Sequence, residues 1–347
     1  MRSTSGWAAD AENRFRRVTL QRRDLRDDDL AVRIDYCGVC HTDLHALRSR
    51  AADDSLLVPG HEFTGVVTAV GDAVSEFVIG DPVAVGNIVD SCGVCSMCRL
   101  GQENFCHEFP TLTYGGTDRR DGSVTLGGFS GEYIVRARFA YALPPELDAA
   151  AAAPLMCAGI TVWEPLRGLG VGPRTSVAVA GLGGLGHLAV KFLAALGAET
   201  TVIGRSPGKA DDALGLGASA YLNSTDQKAM AGARECFDVI LDTIPVAHDL
   251  SPYLTLTALD GTLCQVGFLG PVDLDTTDLL IGRKRLTSAG SGGRPATAEM
   301  LKFSAQHGIG ADVEVLPSAQ INESLERLAR NDVRYRFVLD MSDLHGE

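Results

Sequence analysis

One stretch decides the fold of this 347-residue chain: Ser176-Val177-Ala178-Val179-Ala180-Gly181-Leu182-Gly183-Gly184-Leu185-Gly186. It begins with a short apolar run, which is typical of a buried parallel strand. A G-x-G-x-x-G turn follows at once, and apolar residues then recur at helical spacing from His187 to Leu196, where Gly197 ends the pattern. Strand, glycine turn and helix in this order predict a doubly wound α/β unit with a parallel sheet.

The glycine turn predicts a dinucleotide site. Gly181 permits the tight turn, Gly183 lets the backbone approach a pyrophosphate, and Gly186 lets the helix pack against the strand. The helix N-terminus then presents unpaired N–H groups to the phosphates. A glycine-rich surface turn is the alternative, but the strand–turn–helix context favours cofactor binding. The predicted cofactor-binding residues of the turn are Gly181, Leu182, Gly183, Gly184, Leu185 and Gly186.

The end of the next strand indicates which dinucleotide binds. About 20 residues beyond the glycines, a carboxylate would bind a free ribose 2′-hydroxyl. This chain instead has Gly204-Arg205-Ser206-Pro207-Gly208-Lys209. A guanidinium, a hydroxyl and an ammonium suit a 2′-phosphate, so we predict NADP(H) bound by Arg205, Ser206 and Lys209. The alternative is that Arg205 and Lys209 are solvated surface charges.

Four cysteines predict a structural metal site. Cys92, Cys95, Cys98 and Cys106 have the spacing C-x2-C-x2-C-x7-C. Four thiolates complete a tetrahedral shell for Zn²⁺, which makes a closed, structural site. A disulfide framework is the alternative, but such frameworks belong mostly to small secreted chains.

Composition bounds the classes of function. The length suggests two domains, and the net charge of −13 argues against a nucleic-acid partner. The N-terminal stretch lacks the apolar run of a signal peptide, and no apolar run reaches about 18 residues, so we expect no membrane span. Nine cysteines, mostly metal ligands or thiols, suit a reducing cytoplasm. We expect Cys37, Cys236 and Cys264 to be buried thiols.

The two halves of the chain differ in pattern. Up to about residue 150, short strands are separated by Gly, Pro and Asp, and we predict strands at 30–36, 65–70, 82–85 and 132–135. Beyond about residue 158, strands at 176–180, 200–203, 237–242 and 262–267 alternate with helices at 187–196 and 209–215. The tail predicts helices at 297–307 and 321–331 and a last strand at 335–340 that returns to the first domain.

A second metal set is distributed along the chain. Cys40, His61 and Cys157 provide two thiolates and an imidazole. A Cys₂His set leaves the fourth zinc position open, which is the mark of a catalytic site. Each residue taken alone is more often structural.

With these motifs the chain resembles the zinc-dependent medium-chain alcohol dehydrogenases. The resemblance rests on 36–45 (YCGVCHTDLH), on Gly60-His61-Glu62, on the four-Cys segment and on the segment around Cys157. Three further features are similar to the cinnamyl-alcohol-dehydrogenase-like branch: the glycine turn followed by His187, the segment 242–245 (DTIP) and the closing segment 331–337 (NDVRYRF). The match runs from about residue 18 to 340.

The resemblance implies both fold and roles. It implies a mostly-β GroES-like catalytic domain, residues 1–157 and 291–347, with the four-Cys zinc lobe, and a Rossmann NADP(H)-binding domain, residues 158–290. The catalytic zinc would be held by Cys40, His61 and Cys157, with Glu62 able to approach it. Asp43 would orient His61. Thr42 would bond the alcohol oxygen and pass its proton toward solvent, with His45 or a ribose hydroxyl continuing the relay. The family also implies two zinc ions per chain and a homodimer.

Thr42 could instead cap a turn, and His45 could be a surface residue. The expected function is a zinc-dependent NADP(H) alcohol dehydrogenase or aldehyde reductase. An NADPH-dependent reductase of iminium or conjugated C=C bonds is the alternative, and a non-enzymatic NADPH-binding or nucleic-acid-binding protein is disfavoured. The segment 46–55, the Trp163-Glu164 pair and an N-terminus without the family's opening strand pattern depart from the family, which predicts an altered substrate pocket.

Overall fold

The computed structural model describes residues 2–49, 56–267 and 270–345. The chain forms two compact units, residues 1–157 with 292–347, and residues 158–291. Ser291, which the predicted boundary placed in the first unit, belongs to the second. Its backbone N–H donates to the Thr161 hydroxyl at 3.3 Å, within that unit.

The elements are as follows. The strands are β1 (Arg2–Ala9), β2 (Phe15–Arg22), β3 (Asp29–Val39), β4 (Phe63–Val70), β5 (Pro82–Val85), β6 (Ile88–Asp90), β7 (Thr111–Leu112), β8 (Glu132–Arg136), β9 (Ala140–Ala142), β10 (Ser176–Ala180), β11 (Glu199–Gly204), β12 (Ala220–Asn223), β13 (Phe237–Asp242), β14 (Thr257–Gln265), β15 (Arg285–Ser288), β16 (Val313–Pro317) and β17 (Arg336–Asp340). The α-helices are α1 (His41–Ser49), α2 (Ser96–Arg99), α3 (Ala149–Ala152), α4 (Ala158–Gly168), α5 (Gly186–Leu196), α6 (Ala210–Gly215), α7 (Gln227–Gly232), α8 (Ser251–Leu256), α9 (Thr277–Leu280), α10 (Arg294–His307) and α11 (Ile321–Ala329). Short 3-10 turns lie at Glu103–Phe105, Ala137–Phe139, Ala153–Met156, Pro207–Lys209, Ser318–Gln320 and Ser342–Leu344.

The second unit is a doubly wound α/β unit. Its six-stranded sheet has the order β12-β11-β10-β13-β14-β15, and every neighbouring pair is parallel. The chain moves outward from β10 to β12 and then returns to the other side of β10 with β13. Ligands of such sheets bind beyond the carboxyl ends of the strands at this reversal, so the topology places the site at the end of β10.

The first unit is mostly β. A seven-stranded sheet has the order β16-β17-β3-β4-β5-β9, and β8 pairs with β3. The predicted return of the last strand is observed, because β17 pairs antiparallel with β3 over residues 337–340 and 36–39. The core is apolar, and Phe63, Phe129 and Phe337 are fully buried within it.

Two expectations were wrong. The N-terminal segment does open with strands, because β1 and β2 form an antiparallel pair. Phe15 and Leu20 anchor this pair in the core with 4% and 1% exposure. Cys236 is exposed, because it lies before β13 in a turn where Glu235 has φ of 58°. Cys37 and Cys264 are buried, as expected.

No single helix in the described part of the chain is long and apolar enough to span a bilayer. Residues 149–156 and 158–168 meet the criteria of length and composition only when they are taken together across a bend.

Candidate functional site

Three predicted metal ligands come together in the first unit. Cys40 joins the end of β3 to the start of α1, His61 lies just before β4, and Cys157 follows the 3-10 turn that ends at Met156. Their donor atoms all lie within 4.8 Å of one another. The two Sγ atoms are 3.9 Å apart, and His61 Nε2 lies 3.2 Å from Cys157 Sγ. Two sulfurs and one nitrogen on a common centre fit Zn²⁺ with one coordination position left open.

Asp43 fixes the orientation of His61. Its carboxylate is fully buried, and Oδ1 lies 3.1 Å from His61 Nδ1. The same oxygen accepts the Gly60 N–H at 3.2 Å, and Oδ2 accepts the Cys40 N–H at 2.9 Å. Because a carboxylate can only accept, His61 carries a proton on Nδ1, and Nε2 is the ring nitrogen that faces the sulfurs and is placed to bind a metal. This geometry matches the predicted role of Asp43.

Glu62 forms a buried ion pair with Arg336. Its carboxylate accepts a hydrogen bond from the Arg336 guanidinium, and both side chains are buried. Glu62 is not part of the three-residue donor group. A side chain on Gly38 would collide with Glu62 Oε1, because a Cβ there would lie 2.4 Å from that oxygen. The described geometry therefore makes Glu62 a partner of Arg336, and its approach to a metal stays a prediction.

Arg336 is a site residue that sequence reasoning missed. It begins β17, whose next residues Phe337, Val338 and Leu339 are fully buried. A charged residue at the start of an apolar strand could have drawn attention, since buried charges are paired or functional. Its partner Glu62 is 274 positions away in sequence, so the pair itself could not be inferred.

The buried charges set the protonation of the donor groups. A hydrogen bond from the Cys157 thiol holds the pKa of Cys40 well below its ordinary value, and the charges of Arg336 and His61 act in the same direction. The same pairing raises the pKa of Cys157. Burial disfavours the imidazolium of His61, but Asp43 outweighs burial and raises its pKa. The pairing thus favours the thiolate on Cys40 and the thiol on Cys157.

Thr42 and His45 lie on the first turns of α1, three residues apart, and therefore on one face of the helix. Both side chains are exposed, and the Thr42 hydroxyl lies 3.5 Å from Cys40 Sγ. Thr42 is thus beside the donor group. The described contacts do not join it to His45, so the relay through His45 stays a prediction.

The four-Cys segment also converges. The sulfurs of Cys92, Cys95, Cys98 and Cys106 lie within 4.8 Å of one another. Backbone N–H groups donate to two of these sulfurs: the Cys95 N–H donates to Cys92 Sγ at 3.4 Å, and the Cys98 N–H donates to Cys95 Sγ at 3.5 Å. The Cys98 N–H lowers the pKa of Cys95 to about 6. N–H donors that stabilise thiolates, together with four sulfurs, fit a closed Zn²⁺ site.

The glycine turn in the second unit has the shape that a dinucleotide needs. Gly181 has φ of 92°, and a Cβ on Gly186 would lie 2.1 Å from the Gly181 carbonyl oxygen. Around Gly183, in contrast, no described atom lies within 4 Å of the position a Cβ would take. The Thr243 hydroxyl, at the end of β13, donates to the Ala180 and Gly181 carbonyls at 2.8 and 3.1 Å. The turn is therefore packed on its inner side and open at Gly183, where a phosphate would approach.

The predicted 2′-phosphate residues follow β11. Arg205 and Ser206 are exposed, and the Lys209 ammonium donates to the Leu182 carbonyl at 2.8 Å. This bond ties the turn 205–209 to the glycine turn. The predicted cofactor residues thus lie on two connected loops of one unit.

The two predicted departures from the family are the Trp163-Glu164 pair and the segment 46–55. Trp163 is 1% exposed and packs on Phe192 with ring centroids 5.3 Å apart, so it is a core residue of the second unit. Half-burial raises the pKa of Glu164. Residues 50–55 of the altered segment 46–55 lie outside the described residues.

Within the first unit, Tyr114 lies beside His61, with ring centroids 5.7 Å apart, and sequence reasoning did not single it out.

Comparison with known proteins gives concordant matches. The alcohol dehydrogenase GroES-like domain matches residues 26–145, and the zinc-binding dehydrogenase domain matches residues 184–306. The chain is 43% identical to the probable formaldehyde dehydrogenase AdhA of Bacillus subtilis, over 96% of each chain. It is also similar to the structure of a cinnamyl alcohol dehydrogenase of Sorghum bicolor, with a TM-score of 0.95, 41% identity and coverage of 100% and 99%. A cinnamyl alcohol dehydrogenase of Helicobacter pylori complexed with NADP(H) has a TM-score of 0.90, 33% identity and coverage of 98% of each chain.

Proposed function

Because the chain belongs to the zinc-binding alcohol dehydrogenase family, in its cinnamyl-alcohol-dehydrogenase-like branch, we propose that it interconverts alcohols and aldehydes with zinc and NADP(H). The observation that carries this proposal is the convergence of Cys40, His61 and Cys157, with Asp43 behind the imidazole. We propose two zinc ions per chain, one in this group and one in the four-Cys segment.

Each group has a definite task in this reaction. When bound, Zn²⁺ supplies a Lewis acid that polarises a carbonyl oxygen, and the nicotinamide exchanges a hydride. Cys40, His61 and Cys157 would hold the metal, and Asp43 keeps the His61 lone pair turned toward it. Thr42, exposed beside Cys40, can both donate and accept a hydrogen bond, as a proton relay requires. His45 would continue the relay to solvent.

The metal requirement is tested by substitution. Cys157→Ser should abolish aldehyde reduction and lower the zinc content from two to one per chain, with an unchanged far-UV circular dichroism spectrum. Cys236→Ser is the matched control, because Cys236 is exposed and belongs to neither cluster. Full turnover by Cys157→Ser would exclude catalysis through this metal.

The alternative reaction, reduction of an iminium or a conjugated double bond, is not favoured. This chain retains a complete Cys₂His donor group with its oriented imidazole, which a carbonyl or alcohol substrate would use. One zinc per chain, together with NADPH-dependent reduction of a conjugated double bond, would reverse this ranking.

NADP(H) is supported by the residues after β11 and by the relative that was solved with NADP(H). Arg205, Ser206 and Lys209 offer donors and positive charge where a carboxylate would favour NAD. NADPH should bind at least about tenfold more tightly than NADH, which corresponds to about 1.4 kcal/mol. Equal affinities would refute the cofactor assignment.

A cytoplasmic location and a homodimer complete the proposal. None of the nine cysteines, all of which lie in the described residues, forms a disulfide, which suits a reducing compartment. The homodimer rests on family analogy alone. Light scattering with size-exclusion chromatography should give about twice the 36.7 kDa chain mass, and a monomer would contradict it.

A further inference from the structure

The turn at residues 205–209 is held in place by a phenol from a neighbouring strand. The Ser206 carbonyl accepts the Tyr221 hydroxyl at 2.8 Å and also the Lys209 N–H at 3.0 Å. Tyr221 lies on β12, the edge strand of the sheet. The main chain of the turn is thus bonded from within the turn and from the adjacent strand.

A missing side chain makes this contact possible. Tyr221 is paired with Val202 in the parallel register of β11 and β12, and Gly204 lies two residues beyond Val202 on the same face. A Cβ on Gly204 would lie 2.4 Å from the Tyr221 hydroxyl oxygen. The phenol therefore crosses the face of Gly204 to reach Ser206, and any larger residue at 204 would displace it.

The anchored carbonyl leaves the side chains of the turn available. Ser206 precedes the 3-10 turn Pro207–Lys209, but its hydroxyl makes no capping hydrogen bond there. Arg205 is exposed, and within residues 2–49, 56–267 and 270–345 its guanidinium forms no ion pair. The turn is fixed through its backbone while a hydroxyl and a guanidinium stay open to a ligand.

We propose that Tyr221 is a positioning residue for recognition of the 2′-phosphate: it holds the Ser206 backbone so that Ser206 and Arg205 face this group. The inference deepens the proposed use of NADP(H) and rests on it. Fixing a loop in its bound conformation raises affinity because less freedom is lost on binding. The gain should concern the 2′-phosphate and not the rest of the adenosine.

Calorimetric titration of the full chain with two probes tests this inference. The probes are adenosine 2′,5′-bisphosphate and adenosine 5′-monophosphate, which differ only in the 2′-phosphate. Tyr221→Phe should weaken binding of the bisphosphate about three- to tenfold, as expected for one lost hydrogen bond, and change binding of the monophosphate less than about twofold. Tyr253→Phe, the same deletion on α8 of the same unit, is the matched control and should change neither.

A second variant removes the same contact in another way, so that an effect of Tyr221→Phe on folding can be recognised. Gly204→Ala should push the phenol away and have the same selective effect as Tyr221→Phe. The double variant should be no weaker than either single variant, because both remove one contact.

The outcomes separate the two proposals. Equal affinity of the unmodified protein for both probes would refute the NADP(H) preference and this inference with it. A clear preference for the bisphosphate that survives undiminished in Tyr221→Phe would refute the role of Tyr221 alone. Equal weakening of both probes, or additive losses in the double variant, would also overturn it, since these indicate a general structural effect.

Discussion

Replacing Asp43 with Asn removes one acceptor from the group that orients His61, without changing its shape. Two orientations of the amide are possible. If its oxygen stays near His61, its NH₂ meets the Cys40 N–H, which now donates to Oδ2 at 2.9 Å. If the amide flips, its NH₂ faces His61 Nδ1 and the Gly60 N–H. The flipped form would require a proton on His61 Nε2, which is the nitrogen that a metal needs.

Either orientation carries a measurable cost. Asp43 is fully buried, so water cannot satisfy the N–H group that loses its acceptor. One unsatisfied buried donor costs about 1–3 kcal/mol. Loss of a group that orients a ligating histidine typically weakens metal binding about 10- to 100-fold. The two figures agree, so Asp43→Asn should weaken zinc binding at Cys40, His61 and Cys157 by about 10- to 100-fold.

The assay is a chelator titration with zinc counted by mass spectrometry. Asp43→Asn should lose one zinc at a chelator concentration about 10- to 100-fold lower than the unmodified protein does. The zinc proposed for the four-Cys segment would serve as an internal control and should leave at an unchanged chelator concentration. Asp35→Asn, which alters a surface pair with Arg33, should leave both thresholds unchanged. Superimposable titrations of Asp43→Asn and the unmodified protein would refute the reasoning, and so would loss of both metals together.

Three further predictions concern stability. Cys98→Ser should lower the midpoint of thermal unfolding, because the four-Cys site loses a ligand, whereas Cys236→Ser should not; equal midpoints would contradict a structural metal. Arg336→Met should lower the free energy of unfolding by about 3–5 kcal/mol in urea titrations, because the buried Glu62 carboxylate loses its partner. Adding Glu62→Gln to this variant should recover part of the loss. No recovery would show that the loss of the ion pair is not the cause. Burial works against the charge of Asp118, but hydrogen bonds and ion pairs from arginines hold its pKa below the ordinary value. The ionised carboxylate therefore stabilises the folded state above about pH 4, and this contribution is lost as the pH falls through the lowered pKa. Asp118→Asn should therefore flatten the fall of the thermal unfolding midpoint as the pH drops below about 4, and an unchanged slope would contradict this.

The sequence was most informative where a continuous apolar run has sharp ends. The strands at 176–180 and 237–242 are observed over the predicted residues, because their apolar runs 177–180 and 239–241 are buried and turns bound both strands. The predicted fold class, a Rossmann unit with a GroES-like unit, is confirmed. The strand at 335–340 was also expected, and its pairing with β3 closes the first unit.

The misses share a physical cause. β1 and β2 carry many polar and charged residues, and they are strands because they pair with each other and bury a few anchors such as Phe15. The edge strands β12 and β15 have four residues each, too few for a clear period. Pairing with other strands determines that these segments are extended, and the local sequence pattern does not reveal that pairing.

Some residues of the candidate site could likewise be predicted from the sequence, and others could not. The residue types of Cys40, His61 and Cys157 suit a zinc site, and the family resemblance singles them out among the cysteines and histidines of the chain. The positions of Asp43 and Thr42 next to Cys40 also place them near it. The Arg336–Glu62 pair and the Tyr221–Ser206 contact, in contrast, join distant strands, so only the folded chain reveals them.

The buried charges of the first unit explain why its donor group needs a cation. Two thiolates and the carboxylates of Glu62 and Asp43 would place four negative charges in one buried region, and Arg336 offsets only one of them. Within this region, pairing lowers the pKa of Cys40 and raises that of Cys157, and Asp43 raises the pKa of His61. A divalent cation bound by all three donors would offset this negative charge. The donors are remote in sequence, and the pairing of β3 with β4 brings Cys40 and His61 together independently of any cation. The four-Cys segment, confined to residues 92–106, can bind its metal locally, and this difference is why metal loss at the two sites should have separable effects on activity and stability.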